Sequence, residues 1–394
     1  MTKTGEVLLL GGGGLQAQAL VEAAARAGDL TGWVAADREW RPERQETVER
    51  FGAGVGTVDL IAEPERLRAL VGSARLVVNC AGPFYRTGAA ALDACIECGT
   101  DYLDICDDAD ATLELLERDA AARERGVRAL IGMGSSPGVT NVLVRAAVDA
   151  LGGADEVDIC WVVDVEDVGN AAIQHFWHIF ALIDEDGRRQ PVAPWEQLST
   201  REVAFSEPIG TSTLLELSHP EPLTLPRFLP VKRVRNFGGI APEDSLFVSW
   251  AIARMGGDGS QSIELDGAEH EIPEVAVALY SAYRERRERT PYLGGGLVVD
   301  VRRGSDGFRF SSADSTSMEE STGIPAAAGA LLMLAGGGPE PGVSAPECLD
   351  PATFFPVLGS AGRNTGSLTL HRLEGNREGE RMRIRDLLAE GAVA

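Results

Sequence analysis

The stretch that decides the fold is Glu6-Val-Leu-Leu-Leu-Gly-Gly-Gly-Gly-Leu-Gln-Ala17, in which a short apolar run is followed by four glycines. The apolar run predicts a buried β-strand, and residues 16–27, rich in Ala, Leu and Glu, predict a helix. A glycine turn between a strand and a helix lets backbone N–H groups and the helix dipole approach an anion, because no Cβ keeps the anion away. The turn therefore predicts a pyrophosphate-binding loop formed by Gly11, Gly12, Gly13, Gly14, Leu15 and Gln16.

Two registers of the dinucleotide-binding pattern fit this turn. The register that starts at Gly11 places Gln16 where the third glycine of G-x-G-x-x-G stands. The register that starts one residue later uses Gly12, Gly14 and Ala17 and matches the G-x-G-x-x-A form. The sequence leaves both registers open.

An acidic residue follows at the spacing that a dinucleotide-binding domain requires. A second apolar run, residues 33–36, ends at Asp37, about 24 residues after Gly13. An acid at this offset binds the ribose 2′-hydroxyl of NAD. Asp37 slightly favours NAD over NADP, because a carboxylate repels a 2′-phosphate, whereas Arg38 and Arg41 leave NADP open.

The wider pattern predicts an α/β protein with two domains. Apolar runs alternate with helical patterns over the first 150 residues, which is typical of a doubly wound parallel sheet of the Rossmann type. Beyond them, polar-apolar runs such as 157–165, 245–254 and 297–303 predict strands of an inserted α+β domain with a mainly antiparallel sheet. We expect a dinucleotide-binding domain at 1–149, a substrate and dimerisation domain at 150–312, a return segment on the first domain at 313–372, and a surface helix or tail at 373–394.

The composition restricts the class of partner. With 394 residues the chain is long enough for two domains, and its formal net charge of −24 argues against nucleic acid or an anionic membrane as a partner. The N-terminus lacks the pattern of a signal peptide and no apolar run reaches membrane-spanning length, so we expect a soluble, cytoplasmic protein. The six cysteines are expected to be reduced thiols.

Four further blocks carry a resemblance to a known family. They are Val78-Asn-Cys-Ala-Gly-Pro-Phe84 with the stretch from Ala94-Cys95 to Asp104, Gly132-Met-Gly-Ser-Ser-Pro-Gly-Val-Thr-Asn141, Ser218-His-Pro-Glu-Pro-Leu-Thr-Leu-Pro-Arg227, and Thr322-Gly-Ile-Pro-Ala-Ala327. In this order they resemble the motifs of the saccharopine dehydrogenase-like oxidoreductases, a group that includes saccharopine reductase, lysine 6-dehydrogenase and carboxynorspermidine dehydrogenase. The blocks cover most of residues 7–358.

The resemblance implies an NAD- or NADP-dependent oxidoreductase that transfers hydride at the C–N bond of an amino acid or of an amine or imine derived from one. It also implies a homodimer. One departure from the family is Cys106-Asp107-Asp108, which stands where many relatives have Thr-Gly-Glu. This departure leaves a cofactor-binding accessory protein without catalysis as an alternative, and a partner-dependent enoyl reductase is a further one.

Three residues are the catalytic candidates. His219 lies in a segment stiffened by Pro220 and Pro222, and a histidine exchanges protons near neutral pH. Glu221 stands two residues away, and a structural, hydrogen-bonded His219 is the alternative. Asp104 ends the fifth predicted strand, where its carboxylate could receive a substrate ammonium or a proton, or could cap the next helix.

Substrate and nicotinamide are expected at the same edge of the sheet. The segment after the fourth predicted strand is expected to line the nicotinamide with Cys80, Ala81, Gly82 and Pro83. Phe84 is expected to wall the substrate pocket, although the same residues could be a turn with a core aromatic. Arg227 is the candidate carboxylate clamp, with an interdomain salt bridge as the alternative.

Two histidines at helical spacing complete the candidates. His175 and His178 are three residues apart, so both can face one side of a helix. A zinc site would need a third ligand that the sequence does not reveal. We therefore expect His175 to contact the substrate as part of the pocket wall, and we expect no metal.

Overall fold

The structure, a computed structural model, describes residues 5–165, 170–180, 182–185, 188–191, 199–257, 259, 261–288, 291, 293–362, 368–375 and 377–392. The N-terminal part alternates strands and helices, as apolar strands in a covered parallel sheet require. Its elements are β1 (Gly5–Leu10), α1 (Leu15–Ala27), β2 (Trp33–Asp37), α2 (Pro42–Arg50), β3 (Gly54–Thr57), α3 (Pro64–Ser73), β4 (Ala74–Asn79), α4 (Phe84–Cys98), β5 (Asp101–Asp104), α5 (Ala109–Leu116), α6 (Asp119–Arg125), β6 (Arg128–Leu130) and α7 (Val139–Leu151).

The remaining described chain adds mostly strands. Its elements are β7 (Glu156–Asp164), α8 (Asn170–Phe180), β8 (Leu182–Glu185), β9 (Arg188–Pro191), β10 (Thr200–Ala204), β11 (Thr211–Glu216), α9 (Glu221–Phe228), β12 (Val234–Ala241), α10 (Glu243–Ile252), β13 (Ser262–Leu265), β14 (Ala268–Glu271), α11 (Ile272–Arg286), β15 (Gly295–Arg303), β16 (Asp306–Asp314), α12 (Met318–Leu334), β17 (Gly342–Ser344), α13 (Pro351–Ala361), β18 (Thr369–Glu374), β19 (Arg377–Met382) and α14 (Ile384–Gly391). Within the described ranges, no helix has both the length and the apolarity to cross a bilayer.

The first sheet is parallel throughout and has the strand order β17-β6-β5-β4-β1-β2-β3. Strand β1, in the interior of this sheet, is buried from Val7 to Leu10, because helices cover both faces. The chain crosses from one side of β1 to the other between β3 and β4, so the carboxyl ends of these strands form the crevice in which such sheets bind ligands. The prediction of a doubly wound parallel sheet is confirmed.

The second sheet has the order β10-β11-β12-β7-β15-β16-β18-β19. Its described strand pairs are antiparallel except β12 and β7, which run in parallel from Val234 beside Val157 to Ala241 beside Asp164. Helices α8 and α9 join this mixed sheet to the first domain. The predicted α+β second domain with a mainly antiparallel sheet is confirmed, and one parallel strand pair makes the sheet mixed.

One expected strand is a helix. Residues 245–254, whose polar-apolar runs suggested a strand, contain most of α10, and they bury Leu246, Ser249 and Ile252 at intervals of three. Pro242 precedes this helix, and Glu243 and Asp244 lie in its first turn, where acidic side chains favour the helix dipole. In a window this short, the apolar spacing fits the period of a strand as well as that of a helix. The residues that begin the helix then determine which of the two forms.

The region expected as a surface helix or tail, 373–394, contains strand residues as well as the helix α14. Strands β18 and β19 extend the second sheet beyond β16, and α14 packs on α7. Two leucines of this charged region, Leu373 and Leu387, are almost completely buried, and so is Leu370 just before it. These leucines hold the last described residues on the second domain.

Helices α1 and α12 cross at close range and fix the start of α1. A Cβ on Gly323 in α12 would lie 2.7 Å from both the carbonyl oxygen of Gln16 and the amide nitrogen of Leu20. Helix backbones approach this closely only where a residue without a side chain stands at the crossing. Helix α12 of the return segment therefore packs directly on α1, the helix that begins at the glycine turn.

Replacing Gly323 by alanine is expected to lower the free energy of unfolding by about 1–3 kcal/mol, since the new methyl group forces the two helices apart. Gly359→Ala is the matched control, because Gly359 is an exposed helical glycine whose Cβ would have no atom within 4 Å. That change should raise stability by about 0.5–1 kcal/mol through helix propensity. Urea unfolding of both variants checks this pair, and equal effects would contradict the close crossing.

Candidate active site

The glycine turn lies against the ends of two neighbouring strands. Gly11 has a φ of +73°, and a Cβ on it would lie 2.6 Å from the amide nitrogen of Ala81, just after β4. A Cβ on Gly12 would lie 2.7 Å from the Cβ of Ala35 in β2. These positions accept glycine because any larger residue would displace a strand end. The turn is thus a cradle that a Cβ would fill, which fits the close approach of a pyrophosphate.

The start of α1 supports the same ligand. Gly14 is the N-cap of α1 and offers no side-chain cap, so the N–H groups of the first turn are presented to a ligand. Ala17 is fully buried, whereas Gln16 is only partly buried. Because the third position of the pattern packs the helix on the sheet, this burial favours the register Gly12, Gly14 and Ala17.

Asp37 ends β2 beside the turn. Its Oδ2 accepts a hydrogen bond from the amide of Gly13 at 2.9 Å, and its Oδ1 accepts one from the amide of Arg38 at 2.7 Å. The guanidinium of Arg44 donates to the carbonyl of Gly13. The structure therefore brings Gly13 and Asp37 together, and the carboxylate holds the turn through the amide of Gly13.

The segment after β4 also lies beside the turn. The amide of Cys80 donates to the carbonyl of Leu10 at 2.9 Å, so Cys80 and Ala81 continue the crevice next to Gly11. Gly82 and Pro83 follow and lead into α4. The four predicted nicotinamide-lining residues are thus placed at the carboxyl edge of the sheet.

Phe84 differs from its prediction. Its ring is buried in the apolar core of the first domain, because it stands on the first turn of α4, whose inner face packs on the sheet. The next residue, Tyr85, is exposed, and its ring stacks on His178 of α8 with 4.6 Å between centroids. Tyr85 is therefore the aromatic side chain that reaches the second domain.

Asp104 is buried and its carboxylate is occupied. Oδ1 accepts from the amides of Cys106 at 3.0 Å and Gly132 at 2.7 Å, and Oδ2 accepts from the hydroxyl of Tyr102 at 2.9 Å. Burial raises the pKa of Asp104 to about 6, although these hydrogen bonds act to lower it. The carboxylate joins β5 to the loop after β6, and this geometry supports a structural role rather than the predicted catalytic one.

His219 and Glu221 form a buried pair. Nδ1 of His219 makes a short hydrogen bond with Oε2 of Glu221. The other carboxylate oxygen, Oε1, accepts from the hydroxyls of Ser136 at 2.5 Å and Thr140 at 3.0 Å. Asn236 of β12 donates to Oε2 at 3.2 Å. The carboxylate is thus held by donors from both domains, at the loop that follows the carboxyl end of β6.

The electrostatics of this pair suit proton transfer. Burial raises the pKa of Glu221, but the facing imidazole of His219 and the hydrogen bonds from His219 and Ser136 lower it by more, so its pKa lies below the usual value. In the part of the chain that is described, all hydrogen bonds of this imidazole pass through Nδ1. The carboxylate of Glu221 therefore orients the ring through Nδ1.

Sequence reasoning missed the residues that support the pair. Asn236 is held in place by the indole N–H of Trp161, which donates to its Oδ1 at 2.8 Å, and the indole ring lies 5.9 Å from the imidazole of His219. Ser136 and Thr140 belong to the block quoted for the family resemblance, but no role was assigned to them. The available signal was a polar residue inside an apolar run, because buried polar groups imply hydrogen-bond partners.

Arg227 is not brought to this pair. It lies in the last turn of α9, about 9 Å along the helix axis from Glu221. Its side chain is exposed, and its guanidinium lies 5.8 Å from the ring centroid of Phe228. Among the described residues, no hydrogen bond or ion pair joins Arg227 to His219 or Glu221, so its predicted role as a substrate clamp has no support in this geometry.

His175 and His178 face aspartates of the first domain. Nε2 of His175 lies 2.8 Å from Oδ2 of Asp107, and Nδ1 lies 3.2 Å from Oδ1 of Asp108. Nε2 of His178 lies 3.4 Å from Oδ2 of Asp110. Burial lowers the pKa of His175, but Asp107 and Asp108 raise it by more, so its pKa lies well above the usual value. His175 is therefore an ion-paired residue, and the structure does not place it as an open pocket wall.

Comparisons with known proteins agree with this architecture. Residues 7–130 match the family described as the saccharopine dehydrogenase NADP binding domain. A carboxyaminopropylagmatine dehydrogenase from Synechocystis sp. is 26% identical over 317 residues, which are 73% of this chain and 78% of the relative. A carboxynorspermidine synthase from Vibrio cholerae is 24% identical over 321 residues, which are 73% of this chain and 76% of the relative.

Two solved structures share the fold. Saccharopine dehydrogenase (L-Glu forming) from Saccharomyces cerevisiae superposes with a TM-score of 0.62 at 14% identity, covering 94% of this chain and 100% of its own. Homospermidine synthase from Legionella pneumophila, solved in complex with NAD, gives a TM-score of 0.61 at 12% identity, covering 96% of this chain and 94% of its own. The resemblance to saccharopine dehydrogenase-like proteins is confirmed, and so is the prediction of an NAD- or NADP-binding domain.

The glycine cradle can be tested with Gly11→Ala. We expect the dissociation constants of NADH and NADPH to rise by about tenfold or more, because the methyl group would displace the turn from the backbone at Ala81. Gly99→Ala is the matched control, since Gly99 also has a positive φ, of +63°, but a Cβ there has no atom within 4 Å. Fluorescence titration of the reduced nucleotides measures both, and equal affinities in the two variants would count against the cradle.

Proposed function

Taking residues 7–130 as a saccharopine dehydrogenase-type NADP-binding domain, we propose that the protein is an NAD(P)H-dependent oxidoreductase that acts at the C–N bond of an amine or imine derived from an amino acid. The observation that carries the proposal is the His219–Glu221 pair, which is anchored by Ser136 to the same sheet edge as the glycine turn. A dinucleotide cradle and a buried acid/base at one edge are the two parts that such a reaction needs.

The proposed roles of the cofactor and of the site residues follow from the chemistry of imines. When bound, the dihydronicotinamide supplies the hydride. His219 moves the protons: Nε2 protonates the hydroxyl of a carbinolamine so that water can leave, and it accepts a proton in the reverse direction. Glu221 stabilises the resulting imidazolium and holds its Nδ1–H. Trp161 forms an apolar wall beside the ring, which keeps bulk water away from the reacting carbon.

The substrate class is supported by the relatives and by charge. The two curated relatives are named for carboxyaminopropylagmatine and carboxynorspermidine, which supports an amine-bearing substrate for this chain. A formal net charge of −24 also favours the approach of a cationic amine over that of an anion.

The reaction class is tested by following the oxidation of NADH and NADPH with a matrix of diamines, amino acids, aldehydes and keto acids. We expect oxidation only when an amine and a carbonyl compound are present together, and formation of one secondary amine per nucleotide oxidised. Nucleotide binding without turnover on any pair would instead indicate an accessory protein. Turnover on an acyl thioester alone would indicate an enoyl reductase.

The homodimer and the cytoplasmic location stay predictions, and light scattering of the purified chain measures the oligomeric state directly.

The acid/base pair has a sharp test. His219→Gln is expected to lower kcat by about 10²- to 10⁴-fold with little change in nucleotide affinity, because proton transfer is lost and the cradle is untouched. Glu221→Gln should lower kcat and remove from its pH profile the acid limb that reports ionisation of Glu221, whose pKa lies below the usual value, because a carboxamide does not titrate.

Glu347→Gln is the matched control for Glu221→Gln. Glu347 is another buried glutamate of this region; its Oε2 accepts from Asn141 at 2.8 Å, and burial raises its pKa to about 7. Because Glu347 faces Asn141 and acts on Glu221 only through its charge, its substitution should change the pH profile much less than Glu221→Gln does. A profile that responds equally to both substitutions would contradict the pairing.

The cofactor preference is tested at Asp37. We propose that NADH binds more tightly than NADPH, and that Asp37→Ser lowers this preference by about tenfold, because the carboxylate no longer repels a 2′-phosphate. Loss of the hydrogen bond from Gly13 weakens both nucleotides alike, so the ratio of the two dissociation constants isolates the charge effect. Asp29→Ser, at an exposed turn before β2, is the control for charge alone. An unchanged ratio in Asp37→Ser would remove the ribose assignment.

A further inference from the structure

Two histidines and three aspartates meet where the second domain packs on the first. We call Asp107, Asp108, Asp110, His175 and His178 the His–Asp cluster. The histidines project from one face of α8, as their spacing requires, and the aspartates precede or begin α5. The sequence did not reveal a third ligand for the histidine pair. The structure supplies three candidates for it, the aspartates from a distant part of the chain.

Asp108 occupies an unusual position in this cluster. It is the N-cap residue of α5, where an aspartate normally accepts a hydrogen bond from the helix backbone, yet its carboxylate makes no capping bond. Instead, Oδ1 is directed towards the imidazoles, 3.2 Å from Nδ1 of His175 and 4.0 Å from Nε2 of His178. The side chain is almost completely buried. A carboxylate is thus turned from its local helix towards the centre of the cluster.

The spacing of the donor atoms fits a metal ion. Ligands bound to zinc at about 2.0–2.2 Å in a tetrahedral arrangement lie about 3.3–3.6 Å from one another. Nε2 of His178 lies 3.4 Å from Oδ2 of Asp110 and 4.0 Å from Oδ1 of Asp108, and all three atoms lie within 4.8 Å of one another. Asp107, Asp108 and His175 form a second such group that shares Asp108.

We propose that the His–Asp cluster binds one divalent transition-metal ion, with Asp108, Asp110 and His178 as its principal ligands and His175 beside them. Imidazole together with carboxylate suits Zn²⁺, Co²⁺ or Mn²⁺, whereas Ca²⁺ and Mg²⁺ prefer oxygen donors alone. The ion ties α8 of the second domain to the loop after β5 of the first. This site is separate from the proposed acid/base at His219, and it does not depend on the proposed reaction.

Metal binding at this cluster has a chemical consequence that ion pairing alone does not have. Ligating imidazoles must be neutral, so binding releases protons and weakens as the pH falls. The stacked ring of Tyr85 fixes the plane of His178 from the first domain.

The experiment strips the full-length protein with a chelator and then dialyses it against Zn²⁺, Co²⁺, Mn²⁺ or Ca²⁺, with elemental analysis of the bound ion. We expect one Zn²⁺ or Co²⁺ per chain, visible d–d absorption from bound Co²⁺, release of protons on binding, and no displacement by excess Ca²⁺. Failure to retain Zn²⁺ or Co²⁺ stoichiometrically would overturn the proposal, and so would a Co²⁺ spectrum identical to that of the hydrated ion.

Variants assign the ligands. His178→Gln and Asp110→Asn should each raise the dissociation constant for Co²⁺ by more than about tenfold, and Asp108→Asn should do the same. His371→Gln is the matched control, because His371 also faces an acid, with Nδ1 3.6 Å from Oε2 of Glu378, but on β18 and β19 far from the cluster in sequence. It should bind Co²⁺ like the unchanged protein. Circular dichroism confirms folding, and Co²⁺ affinity in folded His178→Gln equal to that of His371→Gln would overturn the assignment.

Discussion

The constraint on which the arrangement of the two domains depends is the burial of one carboxylate. Glu221 is fully buried, and an ionised group removed from water costs several kcal/mol unless donors replace its hydration. Its donors come from two places: Ser136 and Thr140 lie at the exit from the first sheet, and His219 and Asn236 belong to the second domain. The carboxylate is satisfied only when both domains are docked, so the docked geometry and the His219–Glu221 pair are stabilised by the same hydrogen bonds.

Two buried carboxylates near the same edge show how the surroundings separate their roles. Asp104 accepts hydrogen bonds from neutral donors only, and its burial raises its pKa to about 6. Glu221 is equally buried, but it faces an imidazole, and its pKa lies below its usual value. The surroundings therefore shift the pKa values of these two acids in opposite directions. Position at the edge of the sheet, which was all the sequence offered for Asp104, does not distinguish the two.

Local patterns predicted whatever depends on local backbone geometry. The glycine turn, the acid after β2 and the segment after β4 could be located because strand, turn and helix follow one another within a few residues, and their spacing is fixed by the fold. The support of His219 could not be found in this way. Asn236 and Ser136 lie 100 residues apart, and only the pairing of β12 with β7 and the packing of α9 bring them to Glu221.

The roles predicted for Arg227 and Phe84 lack support in the structure for a related physical reason. A motif states which residue types occur together, but helical phase decides which of them share a face, and six residues along α9 separate Arg227 from Glu221. A series of neighbouring side chains links the His–Asp cluster to the His219–Glu221 pair. His175 and Phe176 are adjacent in α8, Phe176 lies 6.2 Å from Trp161, and Trp161 donates to Asn236, which donates to Glu221.

Through these side chains, α8 is in contact with the residues that surround His219. A helix held only by packing could shift by fractions of an ångström along the domain interface, and Trp161 would follow it, since interior side chains are close-packed. His175 and His178 hold α8 by ion pairs to aspartates of the first domain, and Trp161, which packs beside Phe176 of α8, donates to Asn236. In the proposed function, His219 has to be held to within about 0.5 Å of its working position, and these contacts restrain its surroundings. The acidic loop after β5, which departs from the family pattern, contributes its part of them from the cofactor-binding domain.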